Sequence, residues 1–298
     1  MAATPPSTGR TTQQTASRAS VGRAQMNVRW DRVTVLFALV AVLATVVTHT
    51  VVVAVRPDPG AITAKPAPIQ ASDPPSHAPG DCPRPTTGSV RTAPAVQDGA
   101  GAPSRTVALT FDDGPGPWTP AVLDALQRAQ VQATFFVVGK SAAAEPEMLR
   151  RVLADGHALG NHTWSHEIPS AATGWHRAAL TAEIERTSQA ILNAVGLKPC
   201  LFRPPGGIVK GADTVSRAAG LSVILWSVDT RDWDQPSGGT SFPKVIRKRA
   251  AAGLAEEHPV ILLHDGGGDQ AATVAALPGI IEDYRAHGYR FVTLGKIT

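Results

Sequence analysis

Residues of the kinds that mark several common protein classes are scarce in this sequence. Only two of its 298 residues are cysteines and 5% are aromatic, and no dinucleotide-binding fingerprint is present. The run Gly266-Gly267-Gly268 lacks the lysine and the spacing of a phosphate-binding loop. Two widely spaced cysteines argue against a cysteine-based zinc site. The composition therefore disfavours nucleotide-binding proteins of these types and cysteine-ligated zinc proteins.

Excess positive charge is confined to one segment. Residues 1–32 carry five arginines against Asp31, a net charge of +4 that equals the formal net charge of the whole chain. Residues 105–298 contain 19 basic and 19 acidic residues, so no nucleic-acid partner is expected. The polar composition of residues 1–32, without an apolar period, predicts a disordered basic tail.

One long apolar run follows the tail. Val33 to Val55 is a stretch of 23 residues without a charged side chain, and about 20 apolar residues suffice to span a bilayer as a helix. The run is longer than the apolar core of about 7–15 residues in a cleavable signal peptide, which remains the alternative. The preceding arginines favour a cytoplasmic amino terminus. Residues 33–55 are therefore predicted to be a single-pass signal anchor in the cell membrane, with the rest of the chain extracytoplasmic.

Residues 56–104 are rich in proline, and their four basic and four acidic side chains cancel. Such a segment cannot bury a core and is predicted to be an extended linker. Cys82 lies late in this linker and Cys200 in the region that follows it. Because export implies an oxidising compartment, we expect a Cys82–Cys200 disulfide, with two free thiols as the alternative.

Residues 105–298 are predicted to form one catalytic domain of the α/β class. Apolar strand-like runs alternate with helical stretches, and this alternation implies a parallel sheet. About seven repeats fit a closed or nearly closed (β/α) barrel, with an open doubly wound sheet as the alternative. The dipeptide Pro278-Gly279 predicts a break or kink in the last helix. Strands are predicted at 106–111, 133–138, 158–161, 201–203, 222–228, 260–264 and 291–294. Helices are predicted at 120–129, 146–155, 182–194, 212–219, 243–252 and 272–287.

Two adjacent acids, Asp112 and Asp113, stand where the first predicted strand runs into a Gly-Pro turn. Neighbouring strand residues point to opposite faces, so the strand end must be irregular if both acids serve one site. Two close carboxylates need a compensating cation, or the pKa of one of them rises. A metal ion beside one of the two acids would meet this need.

Two histidines supply further candidate metal ligands. His162 and His166 have the i, i+4 spacing that places side chains on one face of a helical turn. Imidazole suits zinc and neighbouring divalent metals. Two histidines and one aspartate, with an open position for water, are plausible ligands of a catalytic metal.

The other predicted strands also end in polar residues. In a (β/α) barrel the catalytic residues lie at the carboxyl ends of the strands. Taken singly, a solvated arginine, a half-buried tryptophan and a structural histidine are ordinary explanations. Several such strand ends in one small domain favour a shared site. The candidates are Arg203, Gly206, Asp232, Trp233 and His264.

Five motifs across residues 105–298 resemble the polysaccharide deacetylase (NodB-homology, carbohydrate esterase) family. They are T-F-D-D-G-P, H-T-x-S-H, R-P-P-x-G, D-x-x-D-W and L-x-H, in this order. The resemblance implies a distorted (β/α)7 barrel, similar to a TIM barrel. It also implies a divalent metal, commonly Zn²⁺ with Co²⁺ or Mn²⁺ as alternatives, and the removal of acetyl groups from carbohydrate.

The same resemblance implies roles for individual residues. Asp113, His162 and His166 would bind the metal. Asp112 would be the general base, held by Arg203, and His264 the general acid, oriented by Asp232. The family often has an aromatic residue where Gly206 stands. The glycine keeps the backbone N–H that assists the oxyanion and lacks the ring, and Trp233 is a candidate for stacking on a sugar.

An exported, tethered deacetylase on a spacer would meet cell-wall glycan. N-acetylglucosamine of peptidoglycan is the first expected substrate, chitooligosaccharide the second and O-acetylated xylan the third, with no obligate protein partner evident. A glycosidase would need two carboxylates about 5–10 Å apart across the scissile bond, which adjacent acids and a histidine pair fit less well. A catalytically silent carbohydrate-binding module is the non-enzymatic alternative.

Overall fold

A computed structural model describes residues 89–92, 96–97, 103–235 and 241–294. From residue 106 onward strands and helices largely alternate, as the sequence predicts. The strands are β1 (Ser89–Val90), β2 (Val96–Gln97), β3 (Pro103–Ser104), β4 (Thr106–Asp112), β5 (Thr134–Val137), β6 (Ala158–Asn161), β7 (Leu201–Phe202), β8 (Ser222–Ile224), β9 (Val228–Asp229), β10 (Val260–His264) and β11 (Arg290–Phe291).

Seven α-helices lie in the same described ranges. The short helix α2 follows β5 and was not predicted, whereas each of the six predicted helices is present with shifted ends. The helices are α1 (Thr119–Arg128), α2 (Gly139–Ala144), α3 (Pro146–Ala154), α4 (Arg177–Val195), α5 (Ala212–Ala218), α6 (Phe242–Ala250) and α7 (Ala271–Ala286), with 3-10 turns at Pro205–Gly207 and Ala251–Ala255.

The main sheet is parallel and curls back towards its own start. Its strands follow the order β1-β8-β7-β6-β5-β4-β10-β9, and β11 pairs with β4. Only residues 225–227 separate β8, the neighbour of β1 at one end of this path, from β9 at the other end, so the chain itself brings these two regions of the sheet close together. Within the described ranges no strand ladder joins β1 to β9, although Thr92 bridges to Pro259 just before β10. The fold is a parallel, barrel-like α/β sheet, consistent with the predicted (β/α)7 barrel.

Strand β1 belongs to this sheet, although it lies in the stretch predicted to be linker. Ser89 and Val90 pair with Val223 and Ile224 of β8, and Leu225 N–H donates to the Val90 carbonyl at 2.8 Å. The Arg91 guanidinium donates to the Trp226 carbonyl at 2.9 Å. The predicted linker 56–104 is therefore too long at its carboxyl end. A strand of two residues is too short to show a periodic pattern in the sequence. Its partner strand is also distant in sequence, so no local signal reveals the pairing.

Several sequence predictions fall outside the described ranges. The tail 1–32, the predicted anchor 33–55, the first part of the linker and Cys82 are among the residues that these ranges omit. Among the helices that the structure does describe, none has the length and apolar character needed to cross a membrane.

The most deeply buried strand carries the first acid motif. All seven residues of β4 are buried, and β4 pairs with β5, β10 and β11. Strands covered on both faces read as continuous apolar runs, which is why β4 and β10 were recognisable in the sequence. The core between the sheet and helices α1 and α7 includes Leu109, Phe111, Leu123 and Leu277, all fully buried. Burial of β4 and its pairing with three other strands therefore fix the position of Asp112 at the strand end.

The expected break at Pro278 does not occur. Helix α7 continues through Pro278 to Ala286. Leu277 and Ile280 on either side of this position are buried in the main core, so tertiary packing holds the helix together. A Cβ on Gly279 would lie 2.7 Å from Nη1 of Arg247, and the glycine therefore allows α6 to pack closely.

Candidate active site

The strand register brings the polar motifs to one edge of the sheet. Asp112 and His264 are partners across β4 and β10. Asn161, which precedes the histidine motif, pairs with Val137 and Phe202. Because all these strands are parallel, their carboxyl ends lie on the same side of the barrel. The residues that follow them therefore meet there.

Asp112 is held by a fully buried arginine. Nη1 of Arg203 donates to Asp112 Oδ1 at 2.7 Å and to the Thr110 hydroxyl at 2.8 Å. The remaining guanidinium nitrogens face the carbonyls of Ile224, at 3.4 Å, and Leu225, at 3.0 Å. A buried charge pair is stable only when its other donors are also satisfied, as they are here. Arg203 therefore fixes Oδ1 of Asp112, and Oδ2 of the same carboxylate faces His162.

Asp113 turns away from the strand. Its φ of 75° is left-handed, which is the irregular strand end that two adjacent acids in one site require. Oδ1 lies 3.4 Å from Nε2 of His162 and 3.1 Å from Nε2 of His166. Despite these approaches Oδ1 is buried without a well-directed hydrogen bond. Burial alone would raise the pKa of Asp113, but the two imidazoles lower it to about 2.

The histidines do not lie on a helical turn, contrary to the expectation from their spacing. Residues 162–166 form a loop in which Thr163 has φ 63° and His166 has φ 56°. The loop still brings the rings to 4.9 Å between centroids. Nδ1 of His162 is 2.7 Å from the Arg203 carbonyl, so Nδ1–H donates there and Nε2 faces the acids.

Burial and charge act on the two histidines with different results. Burial alone would lower the pKa of His162, but Asp112 and Asp113 raise it overall. Burial lowers the pKa of the less enclosed His166. A metal needs neutral imidazole, so metal binding would displace any proton held between His162 and the acids.

Three ligand atoms of suitable chemistry converge in this cluster. One oxygen of Asp113 and one nitrogen each of His162 and His166 lie within 4.8 Å of one another. Imidazole nitrogen and carboxylate oxygen are the ligands of catalytic zinc sites that keep an open position. The orphaned, buried Asp113 Oδ1 between two imidazoles fits a divalent cation.

His264 is oriented by a different carboxylate. Asp232, fully buried, accepts hydrogen bonds from His264 Nδ1 at 2.7 Å and from the His264 backbone N–H at 2.8 Å. The Thr273 hydroxyl donates to the same carboxylate at 2.8 Å. Burial alone would lower the pKa of His264, but the Asp232 hydrogen bond and charge raise it to about 9. The imidazole is thereby kept protonated at neutral pH.

A cavity of about 180 Å³ opens beside these groups, and its lining includes Asp113, Asp232, Trp233 and His264. Trp233 is 54% exposed, and its ring lies 5.3 Å from the Arg231 guanidinium. Gly206 is not among the residues that line this cavity. It lies in the turn Pro205–Gly207, with φ 62°. A Cβ on Gly206 would lie 3.0 Å from Ile168 Cγ2.

Asp265, the polar residue that follows His264 at the end of β10, was not among the predicted site residues. It is buried, and its Oδ2 accepts a hydrogen bond from the Thr119 hydroxyl at 2.5 Å. Burial raises the pKa of Asp265 to about 7. Thr119 is the first residue of α1, and its hydroxyl anchors this carboxyl group. Position next to His264 was the only sequence signal for Asp265.

Cys200 precedes β7 and is disulfide-bonded. Cys82 is the only other cysteine in the sequence, and it lies outside the described ranges.

Comparison with known proteins gives consistent matches. The polysaccharide deacetylase family matches residues 99–224. A peptidoglycan-N-acetylglucosamine deacetylase of Bacillus cereus is 38% identical over 201 residues, which are 64% of this chain and 87% of that protein. A chitooligosaccharide deacetylase of Sinorhizobium fredii is 38% identical over 214 residues, covering 67% of this chain and 93% of that protein.

A solved structure shares the fold. The family 4 carbohydrate esterase of Streptomyces lividans, in complex with acetate, is 34% identical with a TM-score of 0.56, and the match covers 63% of this chain and 91% of that one. Since two relatives are matched over most of their own length at 38% identity, the chain belongs to the polysaccharide deacetylase family, and it is a hydrolase that acts on N-acetyl amide bonds of carbohydrate.

Proposed function

We propose that this protein removes N-acetyl groups from the N-acetylglucosamine of peptidoglycan in a metal-dependent reaction, with chitooligosaccharide as the second candidate substrate. The observation that carries the proposal is the buried Asp113 Oδ1, which faces Nε2 of both His162 and His166 without a well-directed hydrogen bond. The names of the two relatives support the two substrates.

Asp113, His162 and His166 would hold the metal. Zn²⁺ is the first candidate because imidazole and carboxylate suit it, and Co²⁺ and Mn²⁺ are alternatives. When bound, a divalent metal lowers the pKa of water and polarises the acetyl carbonyl. Asp112, held in place by Arg203, would accept the proton of the attacking water through Oδ2, the oxygen to which no Arg203 nitrogen donates.

His264 would supply the proton that the departing amine needs. Asp232 holds Nδ1, so Nε2 of His264 is the nitrogen that would face the substrate. General acid catalysis of this kind contributes about 10²–10⁴ in rate. The Gly206 N–H would assist the oxyanion, a contribution of about 10²–10³. Trp233 would stack on a sugar ring from its exposed position at the cavity.

The decisive experiment measures acetate released by the protein after chelation and re-addition of Zn²⁺, Co²⁺ or Mn²⁺. Peptidoglycan, N-acetylglucosamine oligomers and acetylated xylan form the substrate panel. Metal-dependent acetate from peptidoglycan is the expected result. Acetate from xylan alone would assign an O-acetyl esterase, and no acetate from any substrate by the metal-loaded protein would assign a carbohydrate-binding module.

We also propose that residues 33–55 anchor the protein in the cell membrane, with residues 1–32 cytoplasmic. The uncharged run and the arginines before it support this orientation. An external protease added to intact cells should release the catalytic domain and leave the anchor with the membrane fraction. A mature protein in the medium that begins after residue 55 would show instead that the segment is cleaved.

A further inference from the structure

The loop that carries the two metal-binding candidates has an unfavourable backbone. Thr163 and His166 both have left-handed φ values, 63° and 56°, and neither is glycine. Such residues cost about 1–3 kcal/mol each and persist only where the surroundings hold them. The contacts that hold residues 163–166 therefore decide where the imidazoles lie.

Side-chain oxygens accept hydrogen bonds from the backbone N–H groups of all four residues 163–166. Asn161 Oδ1 accepts from Thr163 N–H at 2.9 Å, and the Thr163 hydroxyl accepts from His166 N–H at 3.2 Å. The two N–H groups between them, of Trp164 and Ser165, both donate to Oε2 of Glu183, at 2.9 and 2.8 Å.

Glu183 binds the loop a third time. The Ser165 hydroxyl donates to the same Oε2 at 3.0 Å. Hydrogen bonds to an ionised carboxylate are roughly twice as strong as those between neutral groups. Asn161 and Thr163 are local to the loop, whereas Glu183 lies on helix α4. Glu183 is thus the side chain through which the body of the domain holds the N–H groups of this segment.

Neighbouring groups reinforce the same attachment. The Arg186 guanidinium, one turn along α4, lies 3.7 Å from the centre of the Trp164 ring. On the carbonyl side, Gly139 N–H donates to Thr163 O at 2.8 Å and Lys140 N–H to Trp164 O at 3.1 Å. The loop is therefore clamped between the amino end of α2 and the Glu183 carboxylate.

We propose that Glu183 is a positioning residue that sets the separation of His162 and His166 around Asp113, and so tunes metal affinity without touching the metal or the substrate. The inference rests on the proposed function, because it requires that these three residues bind a metal. Groups that orient metal ligands typically change metal affinity by about 10–100-fold when they are removed.

The test compares Glu183→Ala with Glu185→Ala, a matched control on the same helix whose side chain is exposed. Zn²⁺ affinity is measured by competition with a chromogenic chelator, and the Co²⁺ absorption spectrum reports ligand geometry. We expect Glu183→Ala to bind Zn²⁺ about 10–100-fold more weakly and to alter the Co²⁺ spectrum. Glu185→Ala should match the wild type in both measurements.

A conservative variant keeps the test decisive if Glu183→Ala fails to fold. Glu183→Gln retains an oxygen that can accept from the loop but loses the charge, so its Zn²⁺ affinity should be lower than that of the wild type, by less than the loss of about 10–100-fold expected for Glu183→Ala. Wild-type Zn²⁺ affinity and Co²⁺ spectrum in the folded Glu183 variants would overturn the inference. Failure of the wild type itself to bind metal would overturn the proposed function as well, so the two failures are distinguishable.

Discussion

His162 and His166, the proposed metal ligands (the metal side of the site), and His264, the proposed general acid (the acid side), all lie beside carboxylates but approach them through different ring nitrogens. His162 and His166 present Nε2 to Asp113, whereas His264 presents Nδ1 to Asp232. The first arrangement leaves three ligand atoms facing one another, which suits a shared cation. The second leaves Nε2 of His264 for the substrate, with a carboxylate behind it to retain the proton. The two arrangements therefore support the two roles proposed above, a cation shared by three ligand atoms and a proton donor held by a carboxylate.

The largest effect is expected on the metal side. The double variant His162→Ala, His166→Ala removes two of three ligands and should lose both stoichiometric Zn²⁺ and all acetate release. His176→Ala with His287→Ala is the control, because both of these histidines are exposed. Metal content by atomic emission is the measurement. Stoichiometric zinc in the first double variant would refute the ligand assignment.

Asp112→Asn should separate the base from the ligands. The amide keeps an oxygen for Arg203 but cannot accept a proton, so kcat should fall by about 10²–10⁴ while bound metal remains. Acetate release and metal content are measured on the same preparation. Loss of the metal in this variant would mean that the roles of Asp112 and Asp113 are reversed.

Asp232→Asn should lower the pKa of His264 and leave metal binding by Asp113, His162 and His166 unchanged. The pKa of His264 is about 9 because Asp232 favours its charged form, against an ordinary value of 6.5. His264 donates only while protonated, so wild-type activity should be lost as pH rises through about 9. The variant should lose activity at a lower pH than the wild type, because the lowering of the His264 pKa by burial is then no longer opposed by Asp232, and kcat at pH 8 should fall. An unchanged alkaline limb of the pH–rate profile would contradict this role for Asp232.

The smallest effect is expected for Trp233, the exposed aromatic residue that lines the cavity. Trp233→Ala removes an exposed ring, so the thermal unfolding temperature should not change. Loss of stacking worth about 1 kcal/mol should raise KM about fivefold with little change in kcat. Steady-state kinetics on N-acetylglucosamine oligomers measure this, and an unchanged KM would exclude the ring from substrate binding.

The elements that the sequence predicts well are those with a signal of their own. β4 and β10 are buried on both faces, so each contains an apolar run, residues 107–109 in β4 and residues 260–263 in β10, and the polar residues at their carboxyl ends mark the site edge. Six helices were predicted from the sequence, and all six are present with shifted ends. The weakest boundaries were those of the shortest strands, such as β11, which was expected four residues long and is two.

The features of the site that the sequence did not predict depend on contacts between residues that are distant in sequence. Nothing local signals the positive φ of Thr163 and His166, and the i, i+4 spacing pointed to the wrong conformation. Glu183 binds residues 18 and 19 positions away, and Thr119 binds Asp265 across 146. Without the fold, neither Glu183 nor Asp265 could be distinguished from an ordinary polar residue.

Strand β1 decides where the chain can be cut for recombinant production. The family match begins at residue 99, and a fragment cut there would lack Ser89 and Val90. It would leave the edge of β8 with unpaired backbone groups, and such edges recruit strands from other molecules. Val90 also packs against the cluster that contains Ala108 and Ile224, which the cut would uncover. A fragment that starts well before residue 89 should remain dispersed in solution, whereas one trimmed to the family boundary should self-associate.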